Sequence, residues 1–520
     1  MEKKPVLVVG ATGYVGIRLV AHLLAKGRRV RAVSRRPESL QSISWSGESE
    51  IECVRADVFE RDSLREACRG CSAAFYLVHS MGSRGTDFSA ADRVAAQNMA
   101  WAAEQGGLSR IIYLGGLGEE NTALSAHLRS RDEVGKILQS GRVPATVLRA
   151  AMIIGTGSAS FEILRYLVDR LPVMITPRWV DTQCQPIPIR NALEYLSGCL
   201  EVPGTEGGTF DIGGPEIVTY RRLMQIYAEE ASLPRRLILS IPLLSPSLSS
   251  YWIHLFSPVP IALARPLVEG LSNRVVCRDD RIRTLIPQEL LSCREAIRRS
   301  LEHSRRDIVD PAWEKGPESR PPESTFPVDP SWAGGTLFFA CHRVILEGTP
   351  EEVWEPIRRI GGETGWYYAD WLWRTRGILD RLAGGVGMRK TVRDGPDHRP
   401  GDVVDFWRVR SASPGEHLVL VAEMAVPGCA VLSFRLRSCG DRTVELEQGS
   451  FFVPSGLGGI LYWIVISPLH RNVFRGMLRG IVARTGKPVV RGPERVRYTR
   501  FPFPSGRTFR KTADLRAEPP

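Results

Sequence analysis

Four apolar β-formers, Val6 to Val9, run into Gly10, Gly13 and Gly16, and a helical pattern follows with Val15, Leu19, Leu23 and Leu24 on one face. The apolar run predicts a strand, the later spacing a helix, and the glycines the turn between them. The alternation recurs. Further strands are predicted at 29–34, 51–54, 73–78, 110–114 and 145–148. Helices are predicted from near Arg61, over 90–105 and over 125–140. Gly115, Gly116 and Gly118 read as a flexible loop after the fifth strand. Strands alternating with helices imply an α/β domain with a doubly wound, mostly parallel sheet.

Beyond residue 150 the pattern changes. A lobe is expected from Phe161–Leu171, the aromatic loop Pro177-Arg178-Trp179 and the run 185–189, with a strand over 209–213 and a helix over 220–231. Residues 241–271 are apolar but carry prolines 242, 246, 258, 260 and 266, which exclude one continuous helix. Two readings stand there: short helices closing an apolar pocket, or a membrane-touching patch. Residues 303–335 are rich in Pro, Glu, Arg, Ser and Gly, the composition of a linker.

A second domain is expected over 336–490. Phe338–Leu346 reads as a strand. Thr349-Pro350-Glu351-Glu352 is a helix start, with a capping Thr, Pro at the first position and acids on the dipole. Val353, Trp354, Ile357 and Ile360 form that helix's apolar face. Strands are predicted over 403–409, 418–424, 430–437 and 443–452, then a long apolar helix over 457–484 kinked at Pro468, then a tail over 491–520. The Trp and Tyr cluster at 366–373 either lines a cavity or fills the core. Asp370, Asp402, Asp405, Arg408 and Glu423 read as a buried ion-pair network, and the histidines 342, 398, 417 and 470 lack metal-ligand spacing.

The first turn carries the chemistry. Strand, G-x-x-G-x-x-G and helix in that order form the start of a dinucleotide-binding βαβ unit. Gly10 permits a tight turn, Gly13 a close backbone approach to a pyrophosphate, and Gly16 close packing of helix on sheet. Gly10, Ala11, Thr12, Gly13, Tyr14, Val15 and Gly16 are therefore cofactor candidates, with the helix N-terminus facing the phosphates. The second strand ends in Ser34-Arg35-Arg36, where an NAD site would place an acid. Two guanidiniums there favour the 2′-phosphate of NADP(H) over NAD(H). Asp57 and Val58, after the third strand, either flank an adenine or serve the next helix as a cap. His79, Ser80 and Met81 end the fourth strand, at the edge where such sheets bind ligands.

Composition narrows the partners. A chain of 520 residues needs two or three domains, and a net charge of +12 favours an anionic partner. No nucleic-acid module signature accompanies that charge. The ten cysteines are dispersed, with Cys68 and Cys71 the one C-x-x-C, which fits a thiol pair and a reducing, cytoplasmic setting. No signal peptide is expected at Met1-Glu2-Lys3-Lys4, and no uncharged apolar run is long enough to span a membrane. Peripheral membrane contact stays open, and the pattern does not give the oligomeric state.

G-A-T-G-Y-V-G at the start, A-D-V after the third strand, Y-L-V-H-S-M after the fourth and V-L-R-A at the sixth resemble an atypical short-chain dehydrogenase/reductase. The resemblance is closest to the NmrA-like and isoflavone-reductase-like branch of NAD(P)-binding Rossmann proteins, and covers about residues 1–302 with a substrate lobe over 151–302. It implies a Tyr-x-x-x-Lys pair and a Ser at the end of the fifth strand. This chain has Gly115 and Gly116 at the serine position, and Asp132 four before Lys136. Lys136, Asp132 and His127 are the substitute acid/base candidates, with His79 near the sheet edge. The second half resembles the START and polyketide-cyclase group, an α+β helix-grip fold around an apolar cavity. Together these imply an NADPH-dependent oxidoreductase acting on a small apolar or quinone-like carbonyl compound. The alternative is a non-catalytic NADP(H)-binding sensor or assembly protein.

Overall fold

The computed structural model describes residues 4–41, 43, 45, 50–79, 88–118, 124–241, 255–309, 317–389, 391, 395–440 and 442–496. The first domain is built on seven strands: β1 (Val6–Val9), β2 (Val30–Ser34), β3 (Ile51–Arg55), β4 (Ala74–Tyr76), β5 (Ile111–Gly116), β6 (Ala145–Ala150) and β7 (Thr209–Ile212). They pair in the order β7-β6-β5-β4-β1-β2-β3, every pairing parallel. The helices of eight residues or more are α1 (Tyr14–Ala25), α2 (Arg61–Cys68), α3 (Phe88–Gly106), α4 (Ala126–Gln139), α5 (Ala159–Arg170), α6 (Ile189–Gly198), α7 (Tyr220–Glu230), α8 (Ile261–Gly270) and α9 (Cys293–Val309).

Side-chain alternation along each strand explains the double winding. Val6 and Val8 face the core shared with Ile17 of α1 and Leu193 of α6. Leu7 and Val9 face the opposite core, with Leu64 of α2, Met99 of α3 and Val134 of α4. Cys68 and Cys71 are buried thiols in this second core, and burial pushes them up to about 12 and about 11. A third apolar cluster joins α5, α7 and α8 into the lobe beyond β6.

Two expectations need correction. Gly115 and Gly116 are not a flexible loop: they finish β5, paired with Arg149 and Ala150 of β6. Helix α4 presses on that strand end, so a Cβ on Gly116 would lie 2.9 Å from Leu128 Cδ2. The Pro-rich segment is not a loose linker either. Helix α9 continues to Val309, and residues 317–335 strap back over the first domain. Glu323 accepts two bonds from Arg190, and Phe326 is buried against α1. Glu162, fully buried, accepts the N–H groups of Gly157 and Gly334, both at 2.9 Å.

Arg18 of α1 anchors the strap. Its Nε donates to Pro322 O at 2.8 Å, Nη1 to Tyr14 O at 3.0 Å, and Nη2 to Thr156 O at 2.7 Å and Ser324 O at 2.8 Å. Asp329 closes the arrangement with both oxygens, at 2.9 and 2.7 Å. Composition missed this because a segment rich in Pro and charge still folds when each charge meets a partner.

The second domain is a seven-stranded antiparallel sheet: β8 (Phe338–Glu347), β9 (Val403–Val404), β10 (Trp407–Ser413), β11 (His417–Ala422), β12 (Gly428–Gly440), β13 (Thr443–Pro454) and β14 (Val489–Val496). The order is β9-β10-β11-β12-β13-β8-β14. Helices α10 (Pro350–Arg358), α11 (Asp370–Leu382) and α12 (Gly456–Thr485) complete it. Thr349 and Glu352 form a reciprocal capping box at α10. Val473, Phe474, Met477 and Ile481 of α12 pack in the core beneath the sheet.

Residues 489–496 form the edge strand β14 on β8, where a tail was expected to begin at 491. Trp366 and Trp373, 5.1 Å apart and buried with Phe406 and Trp407, fill the core. The five polar residues do not form one buried network. Asp405 is buried and accepts Trp366 Nε1–H at 2.9 Å, Asp370 accepts Trp366 N–H, and Asp402 accepts Arg399 N–H. Arg408 and Arg389 instead grip Glu423 near the surface. No described helix is long and apolar enough to cross a membrane.

Removing one side of the Arg18–Asp329 pair strands a buried charge. Asp329→Ala is expected to destabilise the first domain by about 3–5 kcal/mol, read by thermal or denaturant unfolding. In the second domain, His470 stacks on Phe474 at 4.1 Å, and burial lowers its pKa to about 4. Its stabilisation is therefore complete above the unfolded value near 6.5 and is lost as pH falls through about 4. Acid titration of wild type and His470→Phe should show a shallower loss of stability in the variant over that window.

Candidate functional site

The carboxyl ends of β1, β2, β4 and β5 bring the sequence candidates to one edge. Gly10 has φ +93°, where side chains are strained, and a Cβ there would sit 3.0 Å from Leu77 O. A Cβ on Gly16 would overlap the Gly10 carbonyl oxygen. Gly13 N–H donates to Gly10 O at 2.9 Å, and Gly13 itself is exposed. It is the N-cap of α1, and no side chain caps the helix. The first-turn amides of α1 thus meet an open, uncapped, dipole-positive helix start. Ala11 is buried and Thr12 half-buried beside it.

The side chains of Tyr14 and Val15 pack inward, away from the open turn. The Tyr14 ring lies under the Arg18 guanidinium, 4.2 Å from ring centre to Cζ, with its hydroxyl buried toward Gly155. Burial raises that phenol well above its usual range. Val15 packs against the core.

At the end of β2, Ser34 Oγ accepts Arg36 N–H at 3.1 Å and fixes the turn. Arg35 and Arg36 follow as exposed side chains, and neither has an ion-pair partner among the described residues. Asp57 is occupied locally: its Oδ1 accepts Phe59 N–H at 3.0 Å, an Asx turn ahead of α2. It is not that helix's N-cap, which is Glu60. Val58 O accepts Asn98 Nδ2–H at 2.9 Å. His79 is exposed beyond β4, while Ser80 and Met81 lie outside the described residues.

Helix α4 separates the three acid/base candidates. His127 lies in its first turn, buried, at the carboxyl edge of the sheet. Burial, with the Arg131 guanidinium and the His79 imidazole nearby, lowers its pKa to about 3. Arg131, one turn on, donates from Nη2 to Leu114 O at 2.6 Å, and its Cδ packs at the place where a Gly116 Cβ would be. Lys136 lies about 15 Å along the axis from the helix start. It is 69 % exposed and pairs with Asp132 at 2.7 Å, an i, i+4 surface bridge. The structure therefore gathers His127 and His79 at the edge and leaves Lys136 and Asp132 on the outer helix surface.

Arg131 was missed in the sequence. The signal was present as His127-x-x-x-Arg131, a proton carrier and a cation one turn apart at the start of the helix. Tyr113 is a core residue, its hydroxyl donating to Arg131 O at 3.2 Å. An apolar pocket opens past β6, lined by Met152, Leu164, Trp179, Met224 and Leu267. Among the described residues no cluster of three or more His, Cys, Asp or Glu is placed to hold a metal.

Residues 10–156 match a family described as NAD(P)H-binding. Residues 332–477 match a family described as a protein of unknown function, DUF2867. The chain is 24% identical over 272 residues to the mitochondrial NADH dehydrogenase (ubiquinone) 1 alpha subcomplex subunit 9 of Arabidopsis thaliana, covering 51% of this chain and 67% of that protein. It is 32% identical over 121 residues to cinnamoyl-CoA reductase 1 of Oryza sativa subsp. japonica, covering 22% of this chain and 36% of that protein. The chain thus spans only about a third of that reductase. Among solved structures, a Citrobacter sp. triphenylmethane reductase complexed with NADP(H) aligns at TM-score 0.47 and 19% identity, over 57% of this chain and 99% of that one. An Escherichia coli NADPH-dependent quinone oxidoreductase complexed with NADPH aligns at TM-score 0.46 and 17% identity, over 56% and 98%. Strand order and glycine geometry make the first domain a Rossmann-like α/β fold, and its residues 10–156 are those that match the NAD(P)H-binding family.

Gly16→Ala forces α1 off the turn. Nucleotide affinity is expected to fall about tenfold or more, measured by titration of NADPH fluorescence.

Proposed function

We propose that the chain is an NADPH-dependent reductase of the atypical short-chain dehydrogenase type, acting on an apolar, quinone-like carbonyl compound. The observation that carries the reading is the pair Arg35 and Arg36, exposed and without ion-pair partners among the described residues at the end of β2, beside an uncapped glycine turn. A 2′-phosphate supplies the charge-assisted partners those guanidiniums lack. The apolar pocket past β6 supports an apolar substrate.

The coenzyme, when bound, supplies the hydride. The chain's part is to hold the carbonyl and steady the charge that grows on its oxygen. His127 stays neutral at physiological pH, so its N–H donates to a carbonyl oxygen as an electrophile. Arg131 puts fixed positive charge beside it. Solvent delivers the final proton to the alkoxide or phenolate. For the second domain we propose a helix-grip, START-like ligand-holding role, supported by its first strand lying next to the last strand before α12.

A second reading is an NADP(H)-binding sensor or assembly protein without turnover. Gly115 and Gly116 at the serine position favour it, as does likeness to a protein named as a subunit of NADH dehydrogenase (ubiquinone).

Titration with NADPH and NADH, then a quinone and enone screen for NADPH oxidation, separates the readings. The reductase reading expects NADPH to bind about tenfold or more tighter than NADH, with the gap closed in Arg35→Ala/Arg36→Ala. It expects His127→Phe to lose turnover while keeping NADPH affinity, and Lys136→Ala to leave both unchanged. Tight NADPH binding without oxidation across the screen supports the sensor. A preference for NADH contradicts the arginine argument.

A further inference from the structure

The second domain exposes an apolar surface that nothing in the nucleotide site uses. Helices α11 and α12 touch through side chains, with Arg376 of α11 over the Tyr462 ring of α12 at 5.6 Å and Trp373 against Phe474 at 5.8 Å. Their inner faces hold the core. Their outer faces carry Trp371, Ile378 and Leu382 on α11, and Leu461, Ile464 and Val465 on α12. Trp371 is 67 % exposed, and Leu382 and Val465 are each 80 % exposed. Single exposed leucines are ordinary, but six large apolar groups on two adjoining helices are not.

Charge identifies the partner. The 30 residues of α12 contain no Asp or Glu. The outer face that carries Leu461 and Val465 continues along the helix as exposed Arg471, Arg475 and Arg479. Arg374 is exposed on α11. None of these four arginines has an acidic partner among the described residues. The two acids of α11 are used internally: Asp370 accepts Trp366 N–H at 2.8 Å, and buried Asp380 accepts Gly387 N–H at 2.8 Å and Ala425 N–H at 2.7 Å. A second copy docked on this face would set arginine against arginine with no carboxylate to answer it. An anionic lipid surface answers both features, taking the apolar side chains among its acyl chains and the guanidiniums at its headgroups.

We propose that the outer face of α11 and α12 is a docking surface for an anionic membrane. The first half of α12 lies in the interface and its arginine-bearing second half contacts phosphate headgroups. The helix rests on the bilayer and does not cross it. This goes beyond the nucleotide reading and stands without it.

Flotation of the full chain with phosphatidylcholine vesicles, with and without phosphatidylserine, tests it. Binding about tenfold stronger to the anionic vesicles, weakened by salt, is expected. Leu382→Glu/Val465→Glu should abolish it with the melting temperature unchanged, and Arg475→Gln/Arg479→Gln should remove the preference for phosphatidylserine. Equal binding to both vesicles, or none to either, overturns the proposal. A dimer that Val465→Glu dissociates, in a chain that ignores vesicles, overturns it in favour of self-association. NADPH titration of the same variants should match wild type, so failure here is separate from failure of the reductase reading.

Discussion

The buried guanidinium of Arg18 is the constraint on which the first domain depends. Arginine does not shed its charge in a protein, so a fully buried one requires partners for all its donors. Arg18 sits in α1 one turn after Tyr14, directly behind the glycine turn. Its remaining partners come from the loop after β6 and from the strap at 322–329. One side chain thus ties together the start of α1, the loop after β6 and the segment leading to the second domain. The Tyr14 ring stacked on it keeps that phenol out of the nucleotide site.

The site follows from this placement. A parallel sheet brings the ends of β1, β2, β4 and β5 to one edge, and each contributes a different chemistry: amides, guanidiniums, an exposed imidazole and a glycine gap. The gap at Gly116 is filled from α4 by Leu128 and Arg131. Arg131, one turn after His127, is tied there by its bond to Leu114 O. Burial then keeps His127 neutral, which suits a hydrogen-bond donor to oxygen better than a proton reservoir.

Much of this was legible in the chain because it is local. The glycine spacing, the strand–helix alternation and the helix start capped by Thr349 are written within a few residues, and all three appear in the structure. The misreadings were non-local. The strap looked like a linker because Asp329 and Glu323 find their partners in helices far back in sequence, at Arg18 and Arg190. Residues 491–496 looked like a tail because a charged edge strand has little apolar periodicity, and β8 supplies its order. Lys136 looked catalytic from its helix alone, but the direction each helical residue faces is set by packing on Val147 and Tyr113, which Gly135 meets instead.

The central claim is that backbone amides at the start of α1 hold a dinucleotide diphosphate. Amide hydrogen exchange of the full chain, with and without saturating NADPH, addresses it most directly. The account predicts that protection gained on adding NADPH concentrates in the peptides spanning residues 10–17 and 34–36. Exchange in those peptides that NADPH leaves unchanged, with protection arising elsewhere or nowhere, would contradict it.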